Sequence, residues 1–197
     1  PAAENGIKFL NSEGMKLTSD QEQAIEEILE TLPEQIPDLE GECLGEDSTA
    51  LFEAYLQDIL ASVPDLNLKN LKILLDCANG AAFKAGPEVL RRAGAELLVI
   101  NQESDGVNIN VHAGSENLRS RPAELAEIVK REGVDLAIAF DGDADRVIMM
   151  DEKGNLIDGD HMLALLAEEL HLQGRLLGNT MVTTVMANGA LRKFAAE

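Results

Sequence analysis

The sequence predicts an α/β fold: a layered domain with a mixed, largely parallel sheet flanked by helices, joined to partial neighbouring domains. Three observations carry this. Short apolar runs at 71–76, 96–100 and 134–140 alternate with segments of helical periodicity through short turns, the pattern of strand–helix–strand units. Two further runs, 147–151 and 156–157, are separated only by Glu152-Lys-Gly-Asn155, which reads as an antiparallel hairpin and makes the sheet mixed. Finally, the chain ends inside a helical pattern that begins at Gly189 and needs something to pack on.

The elements follow in order. Residues 7–17 predict two short strands around an Asn-Ser-Glu-Gly turn. A helix follows, with Ser19 and Glu22 at capping-box spacing and Ile25, Ile28, Leu29 and Leu32 on one face; Pro33 stops it. Residues 33–48, rich in Pro, Gly and acidic side chains, predict a linker. A second helix starts near Thr49 and sets Phe52, Tyr55, Leu56 and Ile59 on one face. The run Leu71–Asp76 predicts a buried strand, Cys77-Ala-Asn-Gly80 a turn, 82–93 a helix and Glu96–Ile100 a strand. Residues 101–117 predict a polar loop, and 122–132 a helix carrying Leu125, Ile128 and Val129. Strands at 134–140 and 147–151 follow, then a helix over 159–171. Met181–Met186 predicts a further strand, and Asn188 caps the last helix.

Composition narrows the function. Apolar residues make up 45% of the 197, enough for a core, and with 3% aromatics that core must be aliphatic. A formal net charge of −20 argues against nucleic acid and anionic membranes as partners. No apolar run is long enough for a membrane helix, and no signal peptide opens the chain. Cys43 and Cys77 show no CxxC pattern and fit reduced, cytoplasmic thiols. The first residue is Pro1 rather than Met, which implies a fragment or processed product. The sequence carries no signal for an oligomeric state.

The chemistry concentrates in Phe140-Asp-Gly-Asp-Ala-Asp-Arg146. Asp141, Asp143 and Asp145 alternate with small residues at the carboxyl end of a predicted strand, the edge where ligands gather in open α/β sheets. Three carboxylates so close repel one another, and an oxygen-seeking divalent cation, Mg²⁺ or Ca²⁺, resolves the conflict. Arg146 beside them suits a phosphate-bearing ligand. Competing readings are a solvated acidic turn with a local Arg146–Asp ion pair, an EF-hand loop, and a haloacid-dehalogenase-type phosphatase with Asp141 as nucleophile and Asp143 as acid/base. The EF-hand reading fails at its sixth position, which must be Gly and is Arg146. Other candidates are weaker: Lys8 at the entry to a strand; Asp76–Gly80 as an anion-holding strand-to-helix turn; and Ser115, either an anion ligand or, as favoured here, a local side-chain-to-backbone hydrogen bond. His112, His161 and His171 are not spaced for zinc.

Phe140–Arg146, together with Asn5-Gly6-Ile7-Lys8, Asp76-Cys-Ala-Asn-Gly80 and Gly106-Val-Asn-Ile-Asn110, strongly resembles the α-D-phosphohexomutase family, in order and across essentially the whole chain. The resemblance implies a four-domain enzyme in which a phosphoserine donates its phosphoryl group to a sugar phosphate, through a bisphosphate intermediate, with Mg²⁺ bound. It implies that Asp141, Asp143 and Asp145 are Mg²⁺ ligands, that Arg146 contacts the reacting phosphate, and that Lys8 is the active-site lysine. The Asn-Gly-Ile-Lys-Phe and Arg-Val-Ile-Met segments lean towards members acting on glucosamine phosphates, although members acting on glucose and mannose phosphates share the metal loop. Pro1 matches the proline that follows the family's serine, so the expectation is that the serine and its neighbouring His precede this chain. The implied division is 1–47 for the end of domain 1 and a linker, 48–172 for domain 2, and 173–197 for the start of domain 3.

Overall fold

The structure, a computed structural model, describes residues 9–32 and 48–196. By its internal contacts the chain divides into two compact units, one within 3–51 and the other running from Phe52 onwards. Lys8, the linker expected over 33–48 up to residue 47, and Cys43 lie outside the described residues.

In the first unit the expected turn is present. Asn11 closes it with its side chain, which accepts from the N–H of Glu13 and of Met15, and Leu10 and Lys16 form a single antiparallel bridge rather than full strands. Helix α1 spans Ser19–Glu30. Its capping box sits one residue earlier than the spacing suggested: Thr18 is the N-cap, and its N–H donates to Gln21 Oε1 at 3.0 Å. Thr18 and Gln21 satisfy the same three-residue rule as Ser19 and Glu22, and register alone does not separate them.

The second unit is the α/β layer. Its elements are α2 (Thr49–Ser62), β1 (Lys72–Asp76), α3 (Ala82–Arg92), β2 (Glu96–Ile100), α4 (Gly114–Ser120), α5 (Pro122–Glu132), β3 (Leu136–Phe140), β4 (Val147–Asp151), β5 (Leu156–Ile157), α6 (Gly159–Leu172) and α7 (Gly189–Phe194). The sheet order is β2-β1-β3-β4-β5. β1 pairs in parallel with β2 and β3, while β4 runs antiparallel to both β3 and β5. The mixed sheet and its hairpin are therefore as the sequence implied.

The central strands explain their own continuous apolar runs. In β1, Leu74 packs with Leu118, Leu125, Val129 and Met150 on one face. Ile73 and Leu75 pack on the other, against Phe83, Leu90 and Val147. A strand covered on both faces has no polar side to present, hence Ile-Leu-Leu without alternation. The helices that cover the sheet need few aromatics because aliphatic side chains fill both layers.

Two further expectations fail, both in this unit. The loop over 101–117 is cut by α4, which starts at Gly114 and buries Leu118. Gly114 and Ser115 look like loop residues, but Gly114 adopts φ +76° and turns the chain into that helix. Met181–Met186 is not a strand: it pairs with no described strand, and Val182, Val185 and Met186 are almost fully exposed. Strand propensity alone does not supply the neighbouring backbone that a strand must bond to. Asn188 does cap α7, accepting from the Ala190 N–H at 2.9 Å.

Candidate metal centre

β1, β2 and β3 are parallel, so the loops that follow them share one edge of the sheet. The loop after β3 joins the antiparallel β4, with Phe140 paired to Val147. Asp141–Arg146 is thus the closed end of a hairpin, between strands and not between helices, which removes the EF-hand reading on structural grounds as well. The Ala144 N–H donates to the Asp141 carbonyl at 3.0 Å, and Ala144 takes φ +60° to make the bend.

The bend folds the three acidic side chains together. One carboxylate oxygen from each of Asp141, Asp143 and Asp145 can be chosen so that all lie within 4.8 Å of one another. Opposite corners of a Mg²⁺ octahedron are about 4.2 Å apart, and those of a Ca²⁺ site somewhat more. Of three ligands on one ion at most one pair can be opposite, and adjacent corners are about 3.0 Å apart, so the three carboxylates must draw together to share a cation. Asp141 is buried, at 2% exposure, whereas Asp143 and Asp145 face outwards.

Arg146 meets the buried carboxylate twice. Its backbone N–H donates to Asp141 Oδ1 at 3.0 Å, and its Nε donates to Oδ2 at 2.7 Å. Burial pushes the Asp141 carboxyl up, but the Arg146 N–H and guanidinium together outweigh it and hold the group below the ordinary aspartate value. The same contact with Asp141 raises the Arg146 pKa. Asp141 is therefore ionised at neutral pH, as a metal ligand must be. The guanidinium also reaches Asp145 Oδ1 at 3.6 Å and Glu116 Oε1 at 3.5 Å, while remaining 62% exposed. The local ion pair and the metal reading coexist in this geometry. Both oxygens of Asp141 accept from Arg146, so a nucleophilic role and a ligand role alike would draw on their remaining lone pairs.

The loop rests on glycine. Gly80 lies so close to it that an added Cβ would overlap the Gly142 carbonyl oxygen and stand 2.7 Å from Gly142 Cα. A Cβ on Gly142 would itself stand 2.6 Å from Asn110 Nδ2 and 2.8 Å from the Ile109 side chain. The Ala81 N–H donates to the Gly142 carbonyl at 2.8 Å. The metal loop is thus wedged between the turns after β1 and β2.

The turn Asp76–Gly80 is a support and not an anion cradle. The Ala78 N–H donates to Asp76 Oδ1, that of Asn79 to the Asn101 carbonyl, that of Gly80 to the Cys77 carbonyl, and that of Ala81 to Gly142. No backbone N–H of this turn is left to hold a phosphate. Asp76, 4% exposed, also accepts from the Gly114 N–H at 2.9 Å and ties α4 to the same turn. Ala78 and Asn79 both take positive φ, 53° and 49°, strain of the kind that gathers at functional loops. Ser115 differs from expectation: its hydroxyl is buried and makes no hydrogen bond with a described residue, local or otherwise. Burial raises the Cys77 thiol to about 11 and makes it inert.

The roles of Asp76, Gly80, Gly142 and Glu116 were not visible in the sequence. Their partners are distant in the chain, and a close backbone approach leaves no periodicity.

Known proteins resemble the chain over the same residues. Residues 53–154 match the family model for phosphoglucomutase/phosphomannomutase, alpha/beta/alpha domain II, and residues 158–197 that for domain III. The chain is 47% identical over 191 residues to a phosphoglucosamine mutase of Clostridium novyi (strain NT), covering 95% of this chain and 41% of that protein. It is 43% identical over 195 residues to a phosphoglucosamine mutase of Caldicellulosiruptor bescii, covering 98% of this chain and 42% of the relative. The chain therefore spans about two fifths of the length of these curated relatives. Among solved structures, one from Thermus thermophilus, provisionally named a phosphomannomutase, superposes with a TM-score of 0.59 at 25% identity, over 82% of this chain and 36% of that one. A phosphoglucomutase/phosphomannomutase family protein from Burkholderia thailandensis gives 0.53 at 27% identity, over 63% and 26%.

Proposed function

The chain belongs to the phosphoglucomutase/phosphomannomutase family, and from that premise we propose that it is the metal-holding part of an enzyme that interconverts glucosamine 6-phosphate and glucosamine 1-phosphate. The observation that carries the reading is the convergence of three carboxylate oxygens within 4.8 Å on a loop that ends in Arg146. The choice of glucosamine rests on the relatives named phosphoglucosamine mutase at 43–47% identity.

Asp141, Asp143 and Asp145 hold Mg²⁺ in this account. When bound, the ion offsets the charge of the carboxylates and spreads that of a transferring phosphoryl group. The chain's own residues do the rest. The hairpin fixes the direction of the three side chains, and the Gly80–Gly142 contact keeps the bend from relaxing. Arg146 keeps Asp141 ionised and, being 62% exposed, turns its free N–H groups to a phosphate oxygen when one arrives. Glu116 opposes that turn weakly, as an exposed ion pair does. The phosphoryl group travels on a serine and returns through a hexose bisphosphate, splitting one difficult transfer into two easier ones. Lys8 serves as the active-site lysine in this reading. The division implied by the resemblance, with domain 2 over 48–172, belongs to the same proposal, as does a cytoplasmic location.

The test uses the complete protein. It is expected to interconvert the two glucosamine phosphates when primed with a hexose 1,6-bisphosphate, and to retain label from a ³²P-labelled bisphosphate on a serine. Label on Asp141, or hydrolysis of the sugar phosphate without isomerisation, would overturn the mutase reading.

A further inference from the structure

The motif Gly106-Val-Asn-Ile-Asn110 has no part in the function proposed above, yet its last two residues touch the metal loop. Its two asparagines are used differently. The Asn108 side chain serves its own loop: it accepts from the Asp105 N–H at 3.1 Å and donates to the Glu103 carbonyl at 2.7 Å. The Asn110 side chain makes no such bond with a described residue. It lies instead against Gly142, the residue between Asp141 and Asp143: a Cβ built on Gly142 would stand 2.6 Å from Asn110 Nδ2 and 2.8 Å from Ile109 Cδ1.

Gly142 is gripped from two sides by one anchor. On one side its carbonyl faces Gly80 and accepts from the Ala81 N–H at 2.8 Å. On the other stand Ile109 and Asn110, and the Asn110 N–H donates to the Ala78 carbonyl at 2.9 Å. Both sides of the grip are therefore tied to the turn after β1, and the width of the gap is set outside the metal loop. Gly142 is buried in that gap, whereas Asp143, the next residue, is exposed. Asparagine suits position 110 on two counts. The backbone there is left-handed, φ 60°, which asparagine adopts more readily than most side chains. Its side chain is short and uncharged, so it reaches Gly142 without adding a fourth carboxylate to the three already there.

We infer that Asn110 is a positioning residue of the proposed metal centre: its carboxamide seats Gly142 and so sets the directions in which Asp141 and Asp143 leave the loop. The inference rests on the metal reading of those carboxylates. They must draw together to share a cation, and a seated backbone confines that movement to the side chains. Without the carboxamide the peptides on either side of Gly142 are free to shift, and part of the binding free energy goes into ordering them again.

The experiment is a calorimetric Mg²⁺ titration of the chain, of Asn110→Gly, of Gly142→Ala and of the double variant, with circular dichroism to check that each is folded. Asn110→Gly keeps the left-handed backbone and removes the carboxamide. Its Mg²⁺ affinity is expected to fall about tenfold, the lower end of the range for residues that orient metal ligands. Gly142→Ala, which drives a methyl into the seat, is expected to cost at least as much. The double variant is expected to bind Mg²⁺ better than Gly142→Ala alone, because the methyl then occupies the space that the carboxamide left. Two separate losses of general stability would add; direct contact makes one change relieve the other. Unchanged Mg²⁺ affinity in Asn110→Gly, or losses that add in the double variant, would overturn the inference and leave the metal site standing. If Gly142→Ala does not fold, Asn110→Gly alone decides. No Mg²⁺ uptake by the unaltered chain would remove the metal reading and this inference with it.

Discussion

Gly80 and Gly142 touch backbone to backbone, although 61 residues separate them in the chain: an added Cβ on Gly80 would overlap the Gly142 carbonyl oxygen. This contact fixes where the metal loop sits relative to the turn after β1. The atoms in the way are backbone, so no rotamer change relieves the overlap.

Gly80→Ala therefore separates the two turns. The expected cost is about 1–3 kcal/mol of stability, the usual range for overpacking a tight site. Because the strain falls on the metal loop, cation binding should weaken along with it. Chemical denaturation and Mg²⁺ titration of the same variant check both. A stable variant with unchanged Mg²⁺ affinity would show that the contact positions nothing.

Arg146 and a cation compete for the same carboxylate. Arg146→Gln removes the 2.7 Å bond to Asp141 and a nearby positive charge. Without metal the variant should unfold at a slightly lower temperature, the effect being small because the guanidinium is largely exposed. With metal it should bind Mg²⁺ more tightly, on the order of tenfold. Thermal unfolding with and without Mg²⁺ reads both effects. Weaker Mg²⁺ binding would mean that Arg146 organises the loop and does not compete.

Acid should release the tie between α2 and α3. Arg92 Nη1 and Nη2 meet both Glu53 oxygens at 2.6 and 2.9 Å and draw its carboxyl down from 4.5 to about 2. A carboxyl lowered in the folded state stabilises above its ordinary value and loses that contribution as pH falls through the folded one. The unfolding midpoints of the unaltered chain and Glu53→Gln should differ at neutral pH and converge between about 4.5 and 2. A gap that persists at pH 2 would mean that packing, not charge, sets the difference.

Much of this architecture was legible. Ile73-Leu74-Leu75 is apolar without alternation because both faces of β1 are covered, and the sequence shows that directly. The Asp141–Asp145 alternation was legible because charge repulsion makes it improbable without a purpose. What was not legible depends on partners far away. Asp76 reads as a strand-ending turn residue, yet its carboxylate holds Gly114, 38 positions on. α4 escaped notice because Gly114 and Ser115 carry loop propensity while tertiary contacts impose a helix. Met181–Met186 has the residues of a strand but no strand beside it among the described residues.

The central claim is that Asp141, Asp143 and Asp145 together hold a divalent cation. Calorimetric titration of the chain with Mg²⁺, set against Asp143→Asn, tests it most directly. Asp143 is exposed, so the substitution leaves the core intact, and circular dichroism can verify that. The account predicts one Mg²⁺ per chain for the unaltered protein, with affinity falling by about tenfold or more in the variant as one anionic ligand is lost. Equal Mg²⁺ uptake by the two proteins, or none by either, would contradict it.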